Sequence, residues 1–175
     1  MPPASTPVLR AVAAADVPAI AAIYAHHVRF GLASFEEEPP PAGEIARRMT
    51  DVTDRAMPYL VAELAGAIAG YAYVSPYRTR SAYRFAVENS IYLAPGREGQ
   101  GLGTRLLEGL IARCEQGPWR QMVAVIGDSA NHASIRLHER LGFRPAGRLE
   151  AVGFKFGRWV DSVLMQRPLA GTGPG

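Results

Sequence analysis

The sequence is poor in cysteine and in lysine. Its 175 residues include a single cysteine, Cys114, which excludes an intrachain disulfide and any cysteine-rich zinc site. Of the 19 basic residues only Lys155 is a lysine, and the arginines are scattered along the chain without forming a stripe, a pattern that speaks against a nucleic-acid-binding module. No apolar run approaches the about 18 residues that a membrane-crossing helix requires. The opening MPPASTPVLRAV lacks the basic-then-apolar order of a secretory leader. A cytoplasmic protein without membrane or nucleic-acid partners is therefore expected. No metal is expected either, because His26 and His27 have no further His or Cys nearby in sequence; both read as packing or hydrogen-bonding residues.

What remains is an ordinary globular balance, 48% apolar and 20% charged with a net charge of +3. A chain of this length buries about 70% of its unfolded surface in one core, and no linker or repeat divides it. One domain over residues 8–168 is expected, between tails at 1–7 and 169–175. The modest basic excess suits an anionic small molecule as well as it suits a nucleic acid.

Hydrophobic periodicity then places the elements. A short strand over 8–12 is followed by a helix from Asp16, a candidate N-cap, through about 28, and by a second helix over 42–50. Strands over 59–64 and 68–74 flank an Ala65-Gly66 turn, and a third antiparallel strand covers 87–93. The apolar run 122–126 reads as a parallel strand covered on both sides. A helix over 134–141 ends at Gly142, and an antiparallel pair, 144–152 with 162–166, closes the chain around a loop at 153–160. The last residues, 171–175, read as a frayed end.

The stretch Glu88 to Leu107 organises the rest: a strand over 87–93 rich in β-branched and aromatic residues, a break at Pro95-Gly96 and glycines at 99, 101 and 103, after which Leu102, Leu106, Leu107, Leu110, Ile111 and Cys114 recur at helical spacing. Such a strand, glycine turn and helix presents unpaired N–H groups at the positive helix end, where a phosphate can sit. An ordinary turn and cap is the other reading. A dinucleotide fingerprint or P-loop does not fit, since the spacing is G-x-G-x-G and no Gly-Lys-Ser/Thr follows. On the apolar side of that helix, Cys114 reads as a buried thiol.

The segment EGQGLG resembles the pyrophosphate-binding motif Gln/Arg-x-x-Gly-x-Gly/Ala of the GNAT superfamily of acyl-CoA-dependent N-acyltransferases, with Glu98 standing where the motif has Gln or Arg. Arg97 or Arg105 can supply the missing charge. Asn131, Ser134 and SIRLHERLGF over 134–143 resemble the superfamily's last motif, with His138 at its tyrosine position. Five segments resemble one branch, the phosphinothricin and methionine-sulfoximine acetyltransferases: SFEEEPP, SPYRTRSAY, VENSIYL, SIRLHERLGF and VGFKFGRWVDSVLMQ. The resemblance implies an α/β GNAT fold, a mixed, mostly antiparallel, splayed sheet flanked by helices. It also implies acetyl-CoA as co-substrate, a homodimer, and acetylation of the α-amine of a small amino-acid analogue by direct attack through a tetrahedral intermediate.

By the same resemblance the acetyl-CoA site comprises Ile91, Tyr92, Leu93, Glu98, Gly99, Gln100, Gly101, Leu102, Gly103, Thr104, Asn131, Ser134 and His138. An amine must lose a proton to attack a thioester, and Glu88 is the candidate base; its other reading is a strand-end glutamate facing solvent. His138 is the candidate acid for the departing thiolate, or a residue that merely packs on the cofactor. Acceptor-site candidates are Phe35, Tyr77, Arg78, Arg80, Tyr83, Glu88 and Lys155; an arginine fork suits a carboxylate or phosphinate. Lys155 and Trp159 lie in the late loop that the resemblance brings near the pocket and the subunit contact. Competing readings are an acetyltransferase for protein N-termini or polyamines, and a non-catalytic acyl-CoA-binding protein.

Overall fold

The computed structural model describes residues 6–174. One seven-stranded sheet, in the order β1-β2-β3-β4-β5-β7-β6, carries helices on both faces. The strands are β1 (Val8–Ala11), β2 (Tyr59–Leu64), β3 (Ala67–Pro76), β4 (Ala86–Leu93), β5 (Gln121–Gly127), β6 (Arg144–Lys155) and β7 (Arg158–Pro168). The helices are α1 (Val17–Phe30), α2 (Ala42–Thr53), α3 (Leu102–Cys114) and α4 (His132–Arg140).

Strand alternation divides the core in two. Leu60 and Ala62 of β2 point to α3, where Leu102, Leu106, Leu107 and Leu110 complete one cluster. Tyr59 and Val61 point the other way, to Ile20, Ile23, Tyr24 and Val28 of α1 and Ile45, Met49 and Val52 of α2. Cys114 lies in the α3 cluster, and burial pushes its thiol up to about 12; it holds no thiolate at neutral pH and cannot act as a nucleophile.

All pairs but one are antiparallel. The exception, β4 with β5, is parallel and runs only from Ala86↔Gln121 to Asn89↔Ala124. Beyond it the strands diverge, which is the splay that the resemblance implied. The expectation that β5 is covered on both sides needs correcting: Met122, Ala124 and Ile126 are buried on one face, but Val125 on the other is 37% exposed, because the cluster built on α1 and α2 takes in residues of β2, β3 and β4 and none of β5.

Other differences are local. The expected loop at 153–160 is instead the end of a long β6-β7 hairpin, whose two-residue turn, Phe156-Gly157, has both φ angles positive at 53° and 72°; that sign pattern matches the twist of paired strands. Asp16 does not cap α1 with its side chain. Its carboxylate accepts from Ala13 N at 2.8 Å and forms an ion pair with Arg10 at 2.8 Å. The expected C-terminal fraying also fails among the described residues, since Leu169 is buried and Thr172 N donates to Gly117 O at 2.9 Å. Residues 1–5 and 175, expected to be tail, lie outside the described residues.

Candidate active site

A cavity of about 870 Å³ occupies the breach between β4 and β5. Residues 88–93 of β4 form one wall and 124–127 of β5 the other. Residues 98–104, less Gln100, form one end of its lining, α4 contributes Ala133, Ser134, Arg136, Leu137, His138 and Arg140, and Ala33, Ser34 and Phe35 close the far rim.

Backbone atoms on the β4 wall are unpaired for a structural reason. Ala94 N donates back to Ala69 O of β3 at 2.9 Å, so by alternation Ile91 and Leu93 turn their N–H and C=O groups toward the breach. Leu93 O is taken by His27 Nε2 at 2.7 Å, the hydrogen-bonding role read for that histidine. Leu93 N–H thus faces the cavity beside a carbonyl that is already engaged. At the end of the same strand, Gly99 and Gly101 have φ of 72° and 76°, which a Cβ would strain. They turn the chain into α3, whose first-turn N–H groups have no intrahelical acceptor.

Glu88 shares a face of β4 with Ser90 and Tyr92, toward α1 and α2. It is half-buried, and desolvation raises its carboxyl above the usual 4.5 while Arg78 opposes the shift. On the opposite face stands His138, 4% exposed. Its Nδ1 lies 2.8 Å from Ser134 O and its Nε2 3.1 Å from Asn89 Oδ1, while Asn89 Nδ2 donates to Val123 O at 3.3 Å. Both ring nitrogens therefore face oxygen acceptors, an environment matched by the doubly protonated ring. Burial nevertheless lowers the His138 pKa from its ordinary value, with the Ser134 carbonyl working the other way.

A cleft through a sheet, with an unpaired strand edge, a phosphate-ready helix end and one titratable group on each side, can hold a long anionic thioester and bring an amine to it. The comparisons with known proteins point the same way. The acetyltransferase (GNAT) family matches residues 20–143. The chain belongs to the GNAT acetyltransferase family. Phosphinothricin N-acetyltransferase of Alcaligenes faecalis is 60% identical over 161 residues, 92% of this chain and 82% of that protein. An L-methionine sulfoximine/L-methionine sulfone acetyltransferase of Pseudomonas aeruginosa is 40% identical over 168 residues, covering 94% and 95% respectively. Among solved structures, a GNAT superfamily phosphinothricin acetyltransferase from Sinorhizobium meliloti in complex with AcCoA superposes with a TM-score of 0.91 at 48% identity, covering 96% of this chain and 90% of that one.

Within this GNAT domain the cavity gathers Glu88, Ile91, Tyr92, Leu93, Glu98, Gly99, Gly101, Leu102, Gly103, Thr104, Asn131, Ser134, His138 and Phe35 from the sequence-derived set. Asn131 also caps α4, accepting from Ser134 N at 3.2 Å. Six residues of that set do not line it. Gln100 folds back, its Nε2 donating to Gly96 O at 3.1 Å. Tyr77 packs edge-on to Tyr83 with centroids 5.8 Å apart, and the Arg78 guanidinium lies over Tyr77 at 4.3 Å, within electrostatic reach of Glu88. Arg80 is exposed. Lys155 is turned inward, its Nζ donating to Gly31 O at 2.9 Å and Ser34 O at 2.7 Å.

Neither Arg97 nor Arg105 lines the cavity; the cations that do are Arg136 and Arg140 of α4. Sequence reasoning missed both. Their i,i+4 spacing puts them on one helix face, but which way that face turns is set by how α4 packs on the sheet.

Proposed function

We propose that this GNAT acetyltransferase moves the acetyl group of acetyl-CoA to the α-amine of a small amino-acid analogue of the methionine-sulfone, methionine-sulfoximine or phosphinothricin type. The observation that carries the reading is the end of β4-β5 pairing at Asn89↔Ala124. It leaves an unpaired β4 edge leading directly into the glycine turn, with Glu88 and His138 on either side. These features fit acetyl-CoA: the strand edge suits the pantetheine amides, the turn and the first turn of α3 suit the pyrophosphate, and Arg136 and Arg140 add positive charge nearby. Glu98, exposed at the rim, keeps its carboxylate in solvent and contributes backbone.

In this reading Glu88 accepts the proton that the α-ammonium must lose, directly or through one water. Leu93 N–H donates to the thioester oxygen as negative charge builds on it during direct attack. As the carbon–sulfur bond breaks, His138 returns a proton to the leaving thiolate. Arg78, within electrostatic reach of Glu88 and braced on Tyr77, receives the acceptor carboxylate from outside the cavity lining, and Phe35 forms the apolar wall. A cation so close to Glu88 speaks against a polyamine acceptor. A homodimer is supported by exposed apolar side chains along the β6-β7 hairpin, Leu149, Val152, Phe154, Phe156 and, at 66% exposure, Trp159, too much apolar surface in one place to leave in water. A cytoplasmic setting fits a reaction that draws on acetyl-CoA.

The test is acceptor-dependent CoA release from acetyl-CoA, with L-methionine sulfoximine, methionine sulfone, L-phosphinothricin, ordinary amino acids, a peptide N-terminus and spermidine compared side by side. Release with the first three at kcat/KM at least tenfold above the rest supports the proposal. Preference for the peptide or spermidine, or tight acetyl-CoA binding with no release, overturns it.

A further inference from the structure

The single lysine of this chain sits in its interior. Lys155, at the tip of the β6-β7 hairpin, is 2% exposed, although every other basic residue is an arginine. Among the described residues its ammonium meets no carboxylate within ion-pair distance. It donates instead to the carbonyls of Gly31 and Ser34, 2.9 and 2.7 Å away, and faces the Phe156 ring at 5.0 Å. A compact ammonium with three donors suits two converging carbonyls, whereas a planar guanidinium does not. A buried cation is tolerated only where hydrogen bonds compensate it.

Those carbonyls belong to residues 31–36, which carry Phe35 to the cavity rim. The opposite side of the segment is held as well. Tyr24 OH shares a hydrogen bond with Ser34 Oγ at 2.9 Å, and Arg48 grips Glu36 at 2.7 and 3.0 Å. The Phe35 ring lies against Gly153, where an added Cβ would come within 2.5 Å of it. The hairpin thus supplies both a slot for the ring and a pin for its backbone. Resting on the function proposed above, we propose that Lys155 is a positioning residue: it sets the height of the Phe35 wall, and so the size of acceptor side chain admitted, without touching the acceptor.

The experiment compares wild type with Lys155→Met and, as an independent lesion of the same clamp, Gly153→Ala alone and with Phe35→Leu. Steady-state kinetics use methionine sulfone, its carboxamide and a bulkier amino acid, with the acetyl-CoA Kd measured separately. Expected for Lys155→Met is a rise in acceptor KM of about tenfold, equal for acid and carboxamide, with discrimination by size reduced and kcat and the acetyl-CoA Kd within about twofold. Gly153→Ala should raise acceptor KM similarly, and Phe35→Leu should relieve it. Loss confined to the carboxylate-bearing acceptor makes Lys155 a direct ligand and overturns the proposal, as does unchanged acceptor KM in both single variants. Hydrogen exchange reads the clamp without any substrate: the amides of Gly31 and Glu36 should exchange faster in Lys155→Met while β4 stays protected. Unchanged exchange refutes the clamp even if the acceptor assignment holds, and faster exchange in an enzyme that acetylates none of the panel leaves the clamp standing while the acceptor assignment falls.

Discussion

Replacing Glu88 by glutamine should move catalysis and stability in different directions, which makes it the sharpest test of the proposed base. Burial raises the Glu88 carboxyl above 4.5, and Arg78 opposes the shift without cancelling it. A carboxyl with a higher pKa folded than unfolded holds more protons in the native state, so its ionisation costs stability at neutral pH. That cost is fully present above the folded pKa and vanishes as pH falls through it toward 4.5. Glutamine keeps the shape without the charge. The melting temperature of Glu88→Gln at pH 7 should therefore equal or exceed that of wild type, with the difference closing in acid.

For catalysis, a positioned general base contributes about 10²–10⁴-fold, which is about 2.7–5.4 kcal/mol of barrier at about 1.36 per decade. We expect kcat/KM for the acceptor to fall within that range while the acetyl-CoA Kd is unchanged. The acid limb of the wild-type pH profile, placed above 4.5 by the raised carboxyl, should disappear in the variant, whereas the limb from the acceptor's own ammonium persists. The assays are thiol release across pH and thermal melting of the same preparations. Activity within about threefold of wild type, or activity lost together with melting temperature, would refute the assignment.

Three further outcomes follow from the same geometry. His138→Phe keeps the edge contact with Phe143, 4.9 Å between centroids, but removes the proposed proton donor; kcat should drop about 10²-fold with the KM for acetyl-CoA nearly constant, and a kcat within threefold would leave His138 as packing. Arg136→Ala with Arg140→Ala should weaken acetyl-CoA binding about tenfold, about 1.4 kcal/mol, and flatten its salt dependence, as titration calorimetry at two ionic strengths would show. Leu106→Ala, at a fully buried position between α3 and the sheet, should cost about 2–5 kcal/mol in urea unfolding without shifting the midpoint's dependence on acetyl-CoA concentration.

Local chemistry was legible in the sequence; contacts between distant segments were not. The glycines at 99 and 101 announced their turn because positive φ selects glycine, and the helical spacing of the apolar residues in α3 followed from a period of 3.6. Phe156-Gly157 was harder, since phenylalanine is an unusual residue at φ of 53°, and a hairpin there read as a loop. Which arginines reach the cavity depends on how α4 is rotated against the sheet, and no residue on α4 alone reports that. The inward turn of Lys155 is set by residues 121 and 124 positions away, beyond any local pattern.

The neighbouring residues Glu88 and Asn89 show why the breach is where it is useful. Adjacent side chains on a strand point to opposite faces, so Glu88, and His138 held through Asn89, stand on opposite sides of the sheet. In a continuous sheet one substrate could never touch both. Pairing of β4 with β5 stops at Asn89↔Ala124, and the cavity that opens there is lined by Glu88 and His138 together. That divergence thus gives the proposed base on one face and the proposed acid on the other access to a single reacting carbonyl. An insertion extending β4-β5 pairing by even two residues would close that passage while preserving every side chain in it.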